Sequence, residues 1–313
     1  MRVAVTGASG RLGRALIAAF EDAPFAGPFG PIPWSRPAFD LDAPEAFAAL
    51  LDRDRPEVVV HAAAWTDVDG AARDPNRAMA RNGLATGRLA EACVQRGIDL
   101  VVVSTNEVFD GRRTDGHGYR ADDAPNPINA YGASKLAGEE AARTAYRTHR
   151  GAAGGGEAPA LAIVRTAWLY GPPGNDFPAK ILAAADRARN DGEALRLVAD
   201  ETGSPTYARD LAEAIVELIG AADVEGTHHV VNGGSASRAD WARELLRQAG
   251  ITVATEDVPA ATWPRPSTPP AWAVLSPTRL PGGEPLRAWQ AALADYLPEL
   301  LRVRNRAAEA GRR

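Results

Sequence analysis

Short β-branched runs alternate with alanine-rich stretches of helical period through the first half of the chain. Val3-Ala4-Val5, Val58-Val59-Val60, Leu100 to Ser104 and Leu161 to Thr166 are continuous apolar runs of strand length, the pattern of strands covered on both faces. Leu12 to Phe20 and Pro75 to Arg96 carry apolar residues at helical spacing, the second marked by Met79, Leu84, Leu89 and Cys93. Strands separated by helix-length segments predict βαβ units, hence an α/β fold with a doubly wound parallel sheet. A further strand is expected near Ile32 to Ser35, after the proline- and glycine-rich turn Ala23 to Pro33. Gly151 to Gly156 has no side chains with which to build a core and reads as a surface connection.

The pattern changes after residue 170. Helices are expected at Phe177 to Asn190, Asp210 to Ile219 and Arg238 to Gln248, while prolines crowd Pro259 to Pro285. The expected division is a sheet domain over residues 1–170, with a return strand near 227–232, and a smaller, irregular C-terminal lobe over 171–313. The basic tail Arg302 to Arg313 reads as a solvated or frayed helix end.

Composition narrows the function classes. Of 313 residues 45% are hydrophobic and 24% charged, an ordinary soluble composition, and the net charge of -5 argues against nucleic acid as a partner. Cys93 is the single cysteine, which excludes an internal disulfide and a cysteine-built metal site and fits a reducing compartment. No run approaches the roughly 20 apolar residues of a membrane span. The amino terminus, MRVAVTGASGRLG, leads straight into a strand and a turn without a leader-like segment. A cytoplasmic protein with no membrane partner is expected. His228-His229 point to opposite faces of a strand, His61 reads as structural, and no catalytic metal is predicted.

The strand Val3-Ala4-Val5 runs directly into Thr6-Gly7-Ala8-Ser9-Gly10-Arg11-Leu12-Gly13. Gly7 permits a tight turn, Gly10 a close backbone approach to a pyrophosphate, and Gly13 close packing of helix on sheet; the helix amino terminus then offers N–H groups to phosphates. The spacing is G-x-x-G-x-x-G, and its place between strand and helix makes a dinucleotide the expected ligand of a Rossmann sheet. At the end of the second strand, Ser35 and Arg36 suit a 2′-phosphate and favour NADP(H), with NAD(H) as the alternative; Arg36 as a solvated loop residue is the plainer reading. Asp40 and Leu41 could flank the adenine.

Tyr131-Gly132-Ala133-Ser134-Lys135 opens a helical segment, so Tyr131 and Lys135 share one face, a turn apart. A phenol of ordinary pKa about 10 is a poor acid–base group near neutrality, and the expectation is that the lysine ammonium lowers it. Most such pairs are surface decoration. Here Val101-Val102-Val103-Ser104-Thr105 adds a hydroxyl at the carboxyl end of a strand, the edge where open parallel sheets bind ligands.

GASGRLG (7–13), VVVHAAAWTDVD (58–69), VSTNEVFDG (103–111), PNPINAYGASKLAGEE (125–140), VRTAWLYG (164–171) and DETGSPTYARDLA (200–212) together resemble the extended short-chain dehydrogenase/reductases, and within them the dTDP-4-dehydrorhamnose reductases. The resemblance implies Thr105 as the catalytic hydroxyl, Tyr131 as the acid and Lys135 as its tuner. It implies cofactor contacts at Gly7, Gly10, Arg11, Leu12, Gly13, Asp40, Leu41, Ala62, Ala63 and Ala64, with Thr66 and Val68 near nicotinamide and sugar. Trp168 matches a tryptophan packed by the sugar, offering a flat apolar wall, and Asn82 lies in a helix that supports the site. A nucleotide-linked sugar is the implied substrate, held in the C-terminal lobe; Arg265 reads equally as a phosphate partner or a surface ion pair. A homodimer is left open. The family usually shows aspartate then tyrosine after the threonine, and glutamine at position 11; here stand Asn106, Glu107 and Arg11, and the first two should touch the sugar. Other sugar-nucleotide 4-ketoreductases, epimerases or dehydratases, and a non-catalytic regulatory subunit of the same fold are the alternatives.

Overall fold

All four apolar runs form strands, joined by two more in one parallel sheet. The computed structural model describes residues 1–25, 30–152, 158–173, 175–221 and 224–310. Strands β1 (Val3–Thr6), β2 (Ile32–Trp34), β3 (Val58–His61), β4 (Asp99–Thr105) and β5 (Leu161–Thr166) lie with the strand Gly226–His229 in the order Gly226–His229, β5, β4, β3, β1, β2. Every pairing is parallel.

Alternation along each strand divides the core. Val3, Val5, Val58, Val60 and Val101 pack with Leu12, Leu16 and Phe20 of α1 (Arg11–Glu21) and with Leu211, Ile215 and Leu218 of the helix Ala208–Gly220. Ala4, Val59, Leu100 and Val102 face the other way, against Phe47, Leu50, Leu89 and Tyr146. Burial on both faces is what the unbroken apolar runs encode.

A third cluster, including Tyr170, Leu182, Trp241, Leu245, Trp289 and Tyr296, gathers side chains beyond residue 168. Short pairings surround it: Leu195–Val198 with Thr255–Val258, Leu169–Tyr170 with Thr206–Tyr207, and Thr202–Gly203 between Ala236–Ser237 and Trp272–Ala273. The helix Ala208–Gly220 departs from the expected boundary at 170, because it packs on α1 and the main sheet. A parallel return strand needs a crossover, and this helix supplies it. Residues 26–29 of the expected early turn and 153–157 of the glycine-rich connection lie outside the described residues; Gly151 and Ala152 end the helix Ala130–Ala152. The final helix, Trp289–Ala310, takes in most of the basic tail, with 311–313 outside the described residues. No helix among the described residues is long and apolar enough to cross a membrane.

The chain runs from β1 to β2 on one side, then crosses to β3 on the other. The carboxyl ends of β1 and β3 therefore flank a topological switch point, where open α/β sheets leave a crevice for ligands.

Candidate active site

At the end of β1 the backbone is drawn tight. Gly7 has φ +66°, and a Cβ there would stand 2.9 Å from Ala63 Cα. A Cβ on Gly13 would meet the Gly7 carbonyl oxygen at 2.1 Å. Neither position tolerates a side chain, so α1 lies directly on the turn. Its N-cap, Gly10, has no capping side chain, and the first turn carries no acid, which leaves amino-terminal N–H groups for an anion. Arg11 donates through Nε to the Gly171 carbonyl at 2.8 Å, tying this turn to the segment after β5.

Ser35, just past β2, accepts a hydrogen bond from the Ser9 amide at 3.0 Å. Arg36, Asp40 and Leu41 line the same crevice, and so does Arg81. Arg81 forms an ion pair with Asp42, holding that carboxyl below its usual range, and its guanidinium lies 5.5 Å from the Trp65 ring centroid.

Asn82 sits inside a π-helical stretch, Met79–Leu84, an irregularity frequent at functional sites. Its Oδ1 accepts from the Trp65 amide at 2.8 Å, while Nδ2 donates to the Trp65 carbonyl at 3.1 Å and to Ser134 Oγ at 3.0 Å. One buried amide thus fastens the loop after β3 to the Tyr131–Lys135 helix.

His61 extends the fastening. Thr86 donates to the Asn82 carbonyl at 2.7 Å, so its oxygen receives Nε2–H of His61 at 3.1 Å. The other ring nitrogen, Nδ1, lies 2.9 Å from Thr6 Oγ1, which accepts from the Ala63 amide at 3.0 Å. Only the neutral Nε2–H tautomer lets every hydroxyl donate once. Burial, helped by the Lys135 charge, pushes the His61 pKa down to about 3 and keeps the ring neutral.

Tyr131 and Lys135 line the crevice from the helix Ala130–Ala152, opposite Thr105 at the end of β4. The phenol does not behave as the helical spacing suggests. Burial raises its pKa, the Glu107 carboxylate raises it further, and only the hydrogen bond with Thr105 draws it down. The expected lowering by Lys135 is reversed because the i, i+4 neighbour says nothing about how dry the site is. Lys135 is itself lowered to about 8 by burial, against the pull of Glu139 one turn further on. Glu139 is fully buried; Arg165 binds it at 3.0 and 2.7 Å and Ser104 Oγ donates to it at 2.5 Å.

At the far end, Asn106 Nδ2 donates to the Ala273 carbonyl at 3.1 Å and its Oδ1 lies 3.2 Å from Thr105 Oγ1. Its amide therefore anchors the strand Trp272–Ala273 as well as facing the crevice. Glu107 receives Asn129 Nδ2 at 2.7 Å, and burial raises its pKa. Trp168 adopts φ +41°, an uncommon state for a bulky residue, with a cost of about 1–3 kcal/mol. The Arg238 guanidinium stands 3.5 Å from its ring centroid, so the wall expected to be flat and apolar carries a cation. Arg265 pairs with Asp69 at 2.9 Å and is not among the residues lining the crevice, although its charge reaches Glu107.

These ends belong to one cavity of about 630 Å³. The family model described as RmlD substrate binding domain matches residues 1–302. The chain is 36% identical to the dTDP-4-dehydrorhamnose reductase of Mycolicibacterium smegmatis, over 94% of this chain and 84% of that protein. It belongs to the dTDP-4-dehydrorhamnose reductase family. The solved dTDP-4-dehydrorhamnose reductase of Clostridium acetobutylicum superposes with a TM-score of 0.85 at 30% identity, over 96% of this chain and 100% of that one. That of Bacillus anthracis, solved in complex with NADP, gives 0.81 at 31% identity, over 95% and 99%.

For this reductase-family chain the cavity brings together Gly7, Gly10, Arg11, Leu12, Gly13, Ser35, Arg36, Asp40, Leu41, Ala62, Ala63, Ala64, Thr66, Val68, Thr105, Asn106, Glu107, Tyr131, Lys135 and Trp168. Ser9, Trp65, Arg81 and Arg238 line it too and escaped the sequence reading. Arg238 had a local signal: Ser237 and Asp240 form a capping box, which puts Arg238 at the first position of its helix.

Proposed function

We propose that the chain is an NAD(P)H-dependent reductase acting on the 4-keto group of a nucleotide-linked 6-deoxysugar, dTDP-4-dehydrorhamnose giving dTDP-L-rhamnose. The observation that carries this reading is the convergence of Thr105, Tyr131 and Lys135 on the cavity whose other end is the glycine turn of α1. The crowding at Gly7 and Gly13 and the uncapped helix start suit a pyrophosphate there. Ser35 and Arg36 would take a 2′-phosphate, which favours NADP(H). Asp40 and Leu41 would flank the adenine, and Ala62 to Ala64 would run beneath the nicotinamide half.

When bound, the nicotinamide supplies the hydride. Tyr131 gives its proton to the carbonyl oxygen as negative charge develops there, and Thr105 donates a hydrogen bond to the same oxygen. A phenol raised by burial is fully loaded with its proton at neutral pH, the state that reduction requires. Lys135 would hold the nicotinamide ribose. Val68, Asn106, Glu107 and Trp168 would surround the sugar, with Arg238 as the polar partner on the tryptophan face.

The decisive measurement is oxidation of NADPH, with NADH in parallel, on addition of dTDP-4-dehydrorhamnose, with the sugar product identified by NMR. Turnover with NADPH and a reduced C4 is expected. If neither cofactor is oxidised, the reductase reading is wrong.

A further inference from the structure

The cavity holds an acid–base group that carbonyl reduction does not use. Glu107 follows β4 by two residues and lines the cavity with Thr105, Tyr131 and Trp168, and its carboxyl acts electrostatically on the Tyr131 phenol. Its position is fixed from three sides. The Glu107 amide donates to Thr105 Oγ1 at 3.2 Å. A Cβ on Gly132, next to Tyr131, would stand 2.0 Å from the Glu107 carbonyl oxygen, so the two backbones are pressed together. Asn129 Nδ2 holds Oε2 at 2.7 Å, and Asn129 Oδ1 in turn accepts from the Gly132 amide at 2.8 Å. The carboxyl is therefore locked to the first turn of the helix that carries the phenol.

A ketone held by Tyr131 and Thr105 has acidic C–H bonds on the two carbons flanking its carbonyl, C3 and C5 in a 4-keto sugar. Hydrogen bonds to the carbonyl oxygen stabilise the enolate that forms when such a bond is broken. The geometry points to Glu107 as a general base that removes and returns an α-proton of the bound keto sugar, giving this site an enolisation activity beside its reduction. The C–H bond breaks, its electron pair forms the C=C bond of the enol, Tyr131 protonates the carbonyl oxygen, and Glu107 Oε takes the α-proton. Reversal restores the ketone, with no net redox change. Arg238, Arg265 and Glu201 also act on the Glu107 carboxyl electrostatically; both arginines favour its charged form. Burial works against that charge, which brings the group toward the range where a carboxylate serves as a base.

This inference rests on the reductase reading, since it needs the ketone in the same cavity. The test incubates the full chain with dTDP-4-dehydrorhamnose in D₂O without cofactor and follows the C3 and C5 proton signals by NMR, against an enzyme-free control. NADPH oxidation is measured separately on the same sample. Deuterium entering C3 or C5 at least tenfold faster than in the control is the expected result. NADPH oxidation with exchange no faster than the control overturns the inference and leaves the reductase standing; absence of both overturns the two together. In Glu107→Gln, shown to be folded by its NADPH affinity, the ratio of exchange to reduction should fall at least tenfold. An unchanged ratio would assign the exchange to another base and remove Glu107 from it.

Discussion

Asn82 and Trp65 exchange two hydrogen bonds, side-chain Oδ1 to amide and side-chain Nδ2 to carbonyl, so that an amide side chain completes the backbone of a loop as a neighbouring strand would. The same Nδ2 reaches Ser134, three residues past Tyr131, whose hydroxyl donates to the Tyr131 carbonyl at 2.8 Å. Asn82→Ala strands buried groups on both sides, at about 1–3 kcal/mol for each one left unmet. We expect a lower Tm and, where the protein still folds, a loss in kcat larger than the change in KM for NADPH, because the helix carrying the acid loses its register. Asn82→Asp keeps the acceptor and loses the donors; it should fall between the two. A kcat equal to that of the parent in Asn82→Ala would show that the loop and helix hold themselves.

The proposed preference for NADP(H) rests on one guanidinium and one hydroxyl. Ser35 and Arg36 stand at the end of β2 with Asp40 and Asp42 nearby. Asp42 is already paired with Arg81, which leaves its charge partly answered. Arg36→Ala should raise KM for NADPH about tenfold, the scale of a hydrogen bond to a charged group, and change KM for NADH little. Equal losses with both cofactors would place Arg36 away from the 2′-phosphate.

The parallel sheet was legible because strands buried on both faces leave unbroken apolar runs, and the glycine turn because Gly7 and Gly13 have no room for a Cβ. Arg238 was hidden: its contact with Trp168 joins residues seventy apart in sequence, and its local setting is that of any residue opening a helix. The phenol went the wrong way for a related reason. Spacing gives Lys135 as a neighbour of Tyr131 but carries no information on burial or on Glu107, which arrives from the turn after β4. The helix Ala208–Gly220 was found, but its docking on α1 depends on which face of the sheet remains open.

Lys135 is held at a cost. Its pKa falls from the ordinary 10.5 to about 8, so the buried ammonium destabilises the fold by about 3 kcal/mol below pH 8. Between pH 8 and 10.5 the unfolded chain binds more protons at this position than the folded one, and the penalty fades as pH rises. Lys135→Met should therefore melt higher than the parent at pH 7, with the advantage shrinking toward pH 10.5. Its NADPH affinity should drop at least about tenfold, as expected on loss of a charged hydrogen bond. Calorimetry across that range, with fluorescence titration of NADPH, checks both.

His61 should not titrate. The ordered chain from the Ala63 amide through Thr6, His61 and Thr86 to the Asn82 carbonyl needs a neutral ring protonated at Nε2. Nitrogen-15 NMR should show that tautomer unchanged from pH 5 to 9. His61→Phe leaves the Thr6 and Thr86 hydroxyls without their ring partners, and we expect it to cost about 2–4 kcal/mol with a raised KM for the cofactor through the displaced Ala63 amide.

Tyr131→Phe removes the proton and little else. The ring volume is kept, Thr105 retains Asn106 as a partner, and Lys135 keeps Glu139 nearby. Relieving the burial of a phenolic oxygen beside Glu107 should leave Tm unchanged or slightly raised, and NADPH affinity within about twofold, since the proposed cofactor site rests on the glycine turn, Arg36 and Lys135. Reduction should slow about a hundredfold to ten-thousandfold, the usual contribution of a positioned acid. The remaining rate should lose any dependence on solvent deuterium that came from the phenol, because transfer to the alkoxide then falls to water or Thr105. A variant that kept its full rate while binding cofactor normally would mean that the proton comes from elsewhere, and Glu107 would be the group to test next.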